Sequence, residues 1–162
     1  MTKIFALCLF LVSFIQTDER KVPEVNLKAL DGKTVNSSTF SNGGKPYLIC
    51  FFATWCIPCK NELDAISDNL KDWQKQTGVK IIAVSIDDPK TSSKISPFVK
   101  TNGWEFEIYH DESMDFKRAL NVICSPHVFL VNGSNNIVWE DNSYKEGEED
   151  VIFSKIKDCV KK

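Results

Sequence analysis

The sequence predicts one three-layer α/β domain built on a mixed sheet, and three observations predict it. A continuous apolar run, Tyr47 to Ala53, and a second largely apolar strand, Val79 to Ile86, are separated by a long amphipathic stretch, the pattern of parallel strands buried in a sheet and joined by a helix. A later pair of strand-like segments flanks the turn sequence Asn132–Asn136 and adds antiparallel pairing. The composition is globular: 162 residues, 43% hydrophobic and 26% charged, with only seven Gly and six Pro. Such a chain buries roughly two-thirds or more of its unfolded surface, so its cysteines are not needed as staples. Twenty basic residues against 22 acidic ones give a net charge of −2, and the lysines are scattered. That balance offers no footprint for nucleic acid.

The elements follow in chain order. Lys3 precedes an uncharged apolar run from Ile4 to Ile15, which turns polar at Gln16. A basic start and a short apolar core have the form of a secretory signal peptide, residues 1–16, cut between Ser13 and Thr17. The run is shorter than the ~20 residues a bilayer-spanning helix needs. Its removal takes Lys3 and Cys8, moves the net charge to −3 and leaves five of the six cysteines. An odd count in an exported protein implies at least one reactive or free thiol.

In the remaining domain, 17–162, Val25–Leu30 and Lys33–Val35 read as a hairpin around Asp31–Gly32. The spacing of Leu63, Ile66, Leu70 and Trp73 predicts a helix over Pro58–Gln76, stopped by Gly78. A helix over Thr91–Thr101, interrupted or started by Pro97, precedes a strand at Phe106–Tyr109 and a short helix at Met114–Leu120. His127–Val131 and Ile137–Glu140 form the late hairpin. A last amphipathic helix, Glu148–Val160, puts Val151, Ile152, Ile156 and Val160 on one face. Its acidic start opposes the helix dipole.

The chemistry sits at one turn. Cys56-Ile57-Pro58-Cys59 falls where a buried strand hands over to a helix. A sulfur there faces unpaired N–H groups and the positive end of the helix dipole, and both favour thiolate. An ordinary thiol ionises near ~8.5, whereas in such motifs the value falls to roughly 3.5–7.5. Pro58 suits an early helix position, where its missing N–H costs nothing. The reaction this arrangement suits is thiol–disulfide exchange, with Cys56 attacking and Cys59 resolving.

The stretch Phe52-Ala53-Thr54-Trp55-Cys56-Ile57-Pro58-Cys59-Lys60 resembles the active-site segment of thioredoxin-like proteins, and Ser125-Pro126-His127-Val128-Phe129 resembles their cis-proline loop. The amino-terminal hairpin, the export signal and Glu62 resemble the extracytoplasmic TlpA/ResA branch. The resemblance covers residues 22–160. It implies a thioredoxin fold with an extra N-terminal β-hairpin, a redox-active Cys56–Cys59 disulfide, a cis Pro126, and Glu62 moving protons to and from Cys59. Trp55, Ile57, Pro58, Ser125 and Pro126 would then contact an extended substrate. It further implies an exported, periplasmic oxidoreductase without a cofactor or bound metal. That enzyme would be a monomer with no membrane insertion of the mature chain. It would act on protein disulfides, cytochrome c maturation among them, and be recharged by a membrane thiol electron donor.

Several residues keep two readings. Cytoplasmic thioredoxins carry a buried Asp six residues before the first Cys, where this chain has Cys50; it reads as a small buried hydrophobe or as a third redox thiol. Cys159 reads the same way. Cys124, two residues before Pro126, is placed to approach the dithiol. Glu62 reads as a proton carrier or a solvated helix residue. Cys56, Cys59, Cys124 and His127 form a conceivable zinc set, although Pro126 and the long intervening stretch disfavour it. His127 is expected on a strand near the dithiol and His110 on the surface. A thioredoxin-fold peroxidase is the other enzyme alternative. Such proteins resemble P-x-x-x-T-x-x-C, but here Thr54 stands two residues before Cys56, not three. Trp55 and Trp104 are candidates for a docking face, with core packing the alternative for Trp104.

Overall fold

The computed structural model describes residues 20–161. The expected signal peptide and its cut lie outside the described residues. Strands β1 (Asn26–Ala29) and β2 (Thr34–Asn36) form the first hairpin. Its turn is Leu30–Gly32, closed by the Ala29 N–H donating to the Lys33 carbonyl at 2.8 Å. There follow β3 (Tyr47–Phe52), α1 (Ile57–Thr77), β4 (Lys80–Ser85), α2 (Ile95–Asn102), β5 (Glu107–His110) and α3 (Asp115–Ala119). The chain closes with β6 (His127–Val131), β7 (Ile137–Asp141) and α4 (Glu149–Val160). The strands make one sheet in the order β2-β1-β5-β4-β3-β6-β7. The β3–β4 and β4–β5 pairs are parallel and the others antiparallel. This is the predicted mixed α/β sheet, with the N-terminal hairpin joined to it through β5.

All six residues of β3 are buried, because helices cover both faces of the sheet. Successive side chains serve opposite layers. Phe51 packs on Phe116 of α3, with ring centroids 5.6 Å apart, and Phe52 packs on Trp104 beyond α2, also at 5.6 Å. Each fully buried aromatic stabilises the fold by about 1.5–3 kcal/mol relative to exposure. The α1 helix ends at Gly78, whose φ of 68° only glycine adopts freely, with its N–H returned to the Gln74 carbonyl at 2.8 Å. At Gly133, in the β6–β7 turn, an added Cβ would meet the Gly44 carbonyl oxygen at 2.0 Å. That position therefore admits no side chain without a backbone shift.

Two local expectations are corrected. On α4 the inward face is Ile152 and Ile156, with Phe153 stacked on Trp73 at 5.1 Å. Val151 is 47% exposed, and Val160 is exposed as well. Val151 precedes Ile152 by about 100° around the helix, away from Phe153. His110 is half-buried rather than on the surface, because the N-terminal hairpin pairs along β5 and makes it an interior strand. Its Nε2 lies 2.8 Å from the Asp87 carbonyl. Of the two readings of Trp104 the core one holds: it packs between Phe52, Phe98 and Phe106 and donates its Nε1–H to Asp64 at 2.9 Å. Pro97 lies in the first turn of α2, where no intrahelical N–H is required.

The short α3 begins at a buried carboxylate. Asp111 accepts the Phe116 N–H at 3.2 Å and the Lys117 N–H at 2.7 Å, satisfying donors that the first helical turn leaves unpaired. Asp111→Ala is expected to lower stability by about 2 kcal/mol, read as a lower urea midpoint of the oxidised protein. An unchanged midpoint would show that α3 does not depend on this cap.

Candidate active site

Strand β3 carries the chain through the centre of the sheet to Ala53, and a tight turn delivers Cys56 to the start of α1. The Cys56 N–H donates to the Ala53 carbonyl at 3.0 Å and closes that turn. Cys56 is the N-cap of α1, and its Sγ accepts the Cys59 N–H at 3.3 Å. Pro58 occupies the second helical position, within the first turn, where no N–H is needed. The Cys56 and Cys59 sulfurs are bonded at 2.03 Å. Cys59 is fully buried, while Cys56 keeps a small opening to solvent between exposed Trp55 (64%) and Ile57 (73%).

A second segment meets the first. Cys56 Sγ lies 3.7 Å from the Ser125 carbonyl oxygen, and the Ser125–Pro126 peptide bond is cis. Ile123 is 89% exposed and Cys124 is exposed beside it. Exposed apolar side chains thus flank Cys56 in its own turn, and another, Ile123, stands two residues before Ser125. Cys50 is fully buried on β3, and burial, then the neighbouring Glu62 carboxyl, holds its thiol well above the usual range. Cys159 is half-buried on α4.

Glu62 stands one helical turn beyond Cys59, on the same face of α1. It is buried to 1% exposure, which excludes the solvated-residue reading, and neither carboxyl oxygen has a hydrogen-bond partner. Burial first, then the negative charges of Asp141 and Glu148, push its pKa up to about 8. A carboxyl held neutral in an apolar site near physiological pH has the properties of a proton carrier. Sequence reading did not foresee Asp141 and Glu148, which come from the end of β7 and the start of α4 and have no local signature.

His127 opens β6 and is buried there. Its Nε2 meets Glu140 on β7 at 3.2 Å, and its ring stacks on Phe129 at 4.3 Å between centroids. Among the described residues no three His, Cys, Asp or Glu side chains converge as a metal-holding group. Sequence reading also missed Asp87, just past the end of β4, whose carboxylate accepts both the N–H and the hydroxyl of Thr54 at 2.9 and 2.6 Å. A signal existed: an acid, the first of the pair Asp87-Asp88, directly after an apolar strand, at the carboxyl end where open α/β sheets build their sites.

A cysteine pair capping the helix that leaves a central parallel strand, faced by a cis-proline loop, defines a thioredoxin-like protein. The family model for the AhpC/TSA family matches residues 19–140, and the chain belongs to that family. It is 30% identical over 116 residues to thiol-disulfide oxidoreductase ResA of Bacillus subtilis, 72% of this chain and 62% of that protein. It is 27% identical over 126 residues to sporulation thiol-disulfide oxidoreductase A of the same organism, 75% of this chain and 74% of that one. Among solved structures it resembles an uncharacterized thioredoxin-like protein from Porphyromonas gingivalis. The TM-score is 0.77 at 46% identity, covering 86% of this chain and 92% of that chain.

Proposed function

We propose that the protein is an exported thiol–disulfide oxidoreductase that reduces or exchanges protein disulfides through Cys56 and Cys59. The observation that carries this reading is the position of Cys56 Sγ. It accepts a first-turn N–H at the helix start and lies against the Ser125 carbonyl, with exposed Trp55 and Ile57 beside it in the turn. In the reduced protein the Cys56 thiolate attacks one sulfur of a substrate disulfide. A mixed disulfide forms and one substrate thiolate leaves and takes a proton. With Glu62 in its ionised form, which a pKa of about 8 leaves as a minor fraction at neutral pH, Cys59 passes its proton to that carboxylate and attacks Cys56 Sγ. The Cys56–Cys59 disulfide forms, the second substrate thiolate leaves, and two electrons have passed to the substrate. A carboxyl that titrates at about 8 is matched to a thiol, so this proton moves with little energetic penalty.

Trp55, Ile57, Pro58, Ser125 and Pro126 contact the substrate segment in this proposal. The apolar run before residue 17 supports export to an oxidising compartment, the periplasm, with a membrane thiol donor restoring the dithiol. Cytochrome c maturation is one setting for such substrates. No helix among the described residues is long and apolar enough to cross a membrane. The names of the two Bacillus subtilis relatives, both thiol-disulfide oxidoreductases, support the same reaction. A peroxidase would need the Thr54 hydroxyl aimed at its reactive sulfur, and here that hydroxyl donates to Asp87. The test is catalytic reduction of insulin disulfides by purified protein, with peroxide consumption and zinc content measured on the same sample. Disulfide reduction is expected. Peroxide turnover without it, or one zinc per chain, would replace this reading with one of the two alternatives.

A further inference from the structure

The β3–β4 ladder ends with the Ile86 N–H donating to the Phe52 carbonyl at 2.8 Å. Beyond that point the chain leaves the sheet, and the Thr54 N–H has no strand partner. A half-buried amide so placed must find another acceptor. It finds Asp87. Oδ2 accepts the Thr54 N–H at 2.9 Å and the Ser85 hydroxyl at 2.8 Å, while Oδ1 accepts the Thr54 hydroxyl at 2.6 Å. The carboxylate is itself fixed, for the Asp87 N–H donates to Ser85 Oγ at 3.1 Å and the His110 ring meets the Asp87 carbonyl at 2.8 Å. Asp87 and Ser85 are completely buried.

Burying a carboxylate is costly unless its hydrogen bonds are made, so its presence here needs a reason. Capping one amide would need a single acceptor. This side chain instead grips both the backbone and the side chain of Thr54, which sets the rotation of that residue. Two residues later the chain must present Cys56 Sγ to the first-turn N–H groups of α1. We infer that Asp87 is a positioning residue for the dithiol, tying Thr54 to the end of β4 so that the turn delivers Cys56 onto the helix start. The inference rests on the proposed role of Cys56 as nucleophile. It gives the family's strand-to-helix turn a buried anchor that lies outside the Cys-x-x-Cys segment.

The test uses fully reduced protein and reads Cys56 directly, by mass-mapped iodoacetamide alkylation across a pH series, together with the rate of insulin disulfide reduction. Asp87→Ala removes all three bonds. It is expected to raise the alkylation midpoint of Cys56 and to slow both reactions about tenfold at neutral pH, the scale of a small misplacement of a reacting group. Asp87→Asn keeps one oxygen for the Thr54 N–H, and its amide can donate to the Thr54 hydroxyl. It is expected to recover most of the rate. Thr54→Val keeps the amide bond and loses the hydroxyl bond, so it should fall between, and Thr54→Ser should match the parent protein. A purely structural role would lower the melting temperature of Asp87→Ala and leave the alkylation midpoint where it was; that result overturns the inference. If Asp87→Ala does not fold, Thr54→Val carries the test, and a parental midpoint in that variant overturns it equally. A parent protein that alkylates at Cys56 but reduces no disulfide overturns the proposed function, and the alkylation comparison still decides the tether.

Discussion

Cys56→Ser is expected to abolish disulfide reduction, a loss on the order of 10³-fold or more. Serine preserves the size and the N-cap geometry, so the fold and the cis-proline loop should persist. Its hydroxyl stays protonated at the helix start where a thiol would ionise, and it cannot form the mixed disulfide. The companion variant separates the two sulfurs. Cys59 is fully buried behind Cys56 and cannot meet a protein substrate first. Cys59→Ser is therefore expected to attack normally and stall, leaving protein covalently bound to its substrates. The adducts should resist boiling in detergent and dissolve on adding a reductant. Equal loss in both variants without trapped adducts would assign the two sulfurs a merely structural bond. Substrates trapped in cells by Cys59→Ser also name the physiological partners.

The second large effect concerns Glu62 and pH. Its ordinary carboxyl pKa of 4.5 is raised to about 8 in the folded oxidised protein. Below about pH 4.5 the group is protonated in both states and costs nothing. Between 4.5 and 8 the unfolded chain has released this proton while the folded chain keeps it. The folded state then binds more protons, and stability falls as pH rises. Above about 8 the loss is complete, on the order of 5 kcal/mol, since each tenfold difference in proton affinity between the two states corresponds to about 1.4 kcal/mol. Glu62→Gln keeps the shape, stays neutral and removes the dependence. The melting temperature of the oxidised variant is expected to exceed that of the parent by an increasing margin from pH 5 to 8, reaching about 10 °C. The same variant should slow release of the mixed disulfide about tenfold, because Cys59 has lost its proton acceptor. Parallel melting curves across this range would show that Glu62 is not held protonated by the fold.

Much of this arrangement is legible in local pattern. The unbroken apolar run of β3, the periodicity of α1 and the stop at Gly78 each reflect neighbours in sequence, and each element forms where its pattern lies. The Cys56–Cys59 turn is legible for the same reason, since a strand-to-helix handover and a two-residue spacing are local facts. Burial of Glu62 is not local. Its environment is made by Asp141, Glu148 and Tyr144, delivered by the segment between β7 and α4. The grip of Asp87 on Thr54 likewise joins two strand ends 33 residues apart. His110 looks peripheral in sequence, and only the pairing of the first hairpin with β5 buries its strand. On α4 the direction of the apolar stripe depends on where Trp73 stands across the interface, which periodicity alone does not report.

The most direct single measurement is the pH at which the Cys56 sulfur of the reduced protein becomes half-reactive toward iodoacetamide, with each cysteine resolved by peptide mass. A helix-start sulfur that accepts an amide N–H should be half-reactive well below the ~8.5 of an ordinary thiol, while buried Cys50 stays unlabelled throughout. A Cys56 that labels only at the pH of an ordinary thiol, or not at all, would contradict the assignment of this atom as the attacking nucleophile.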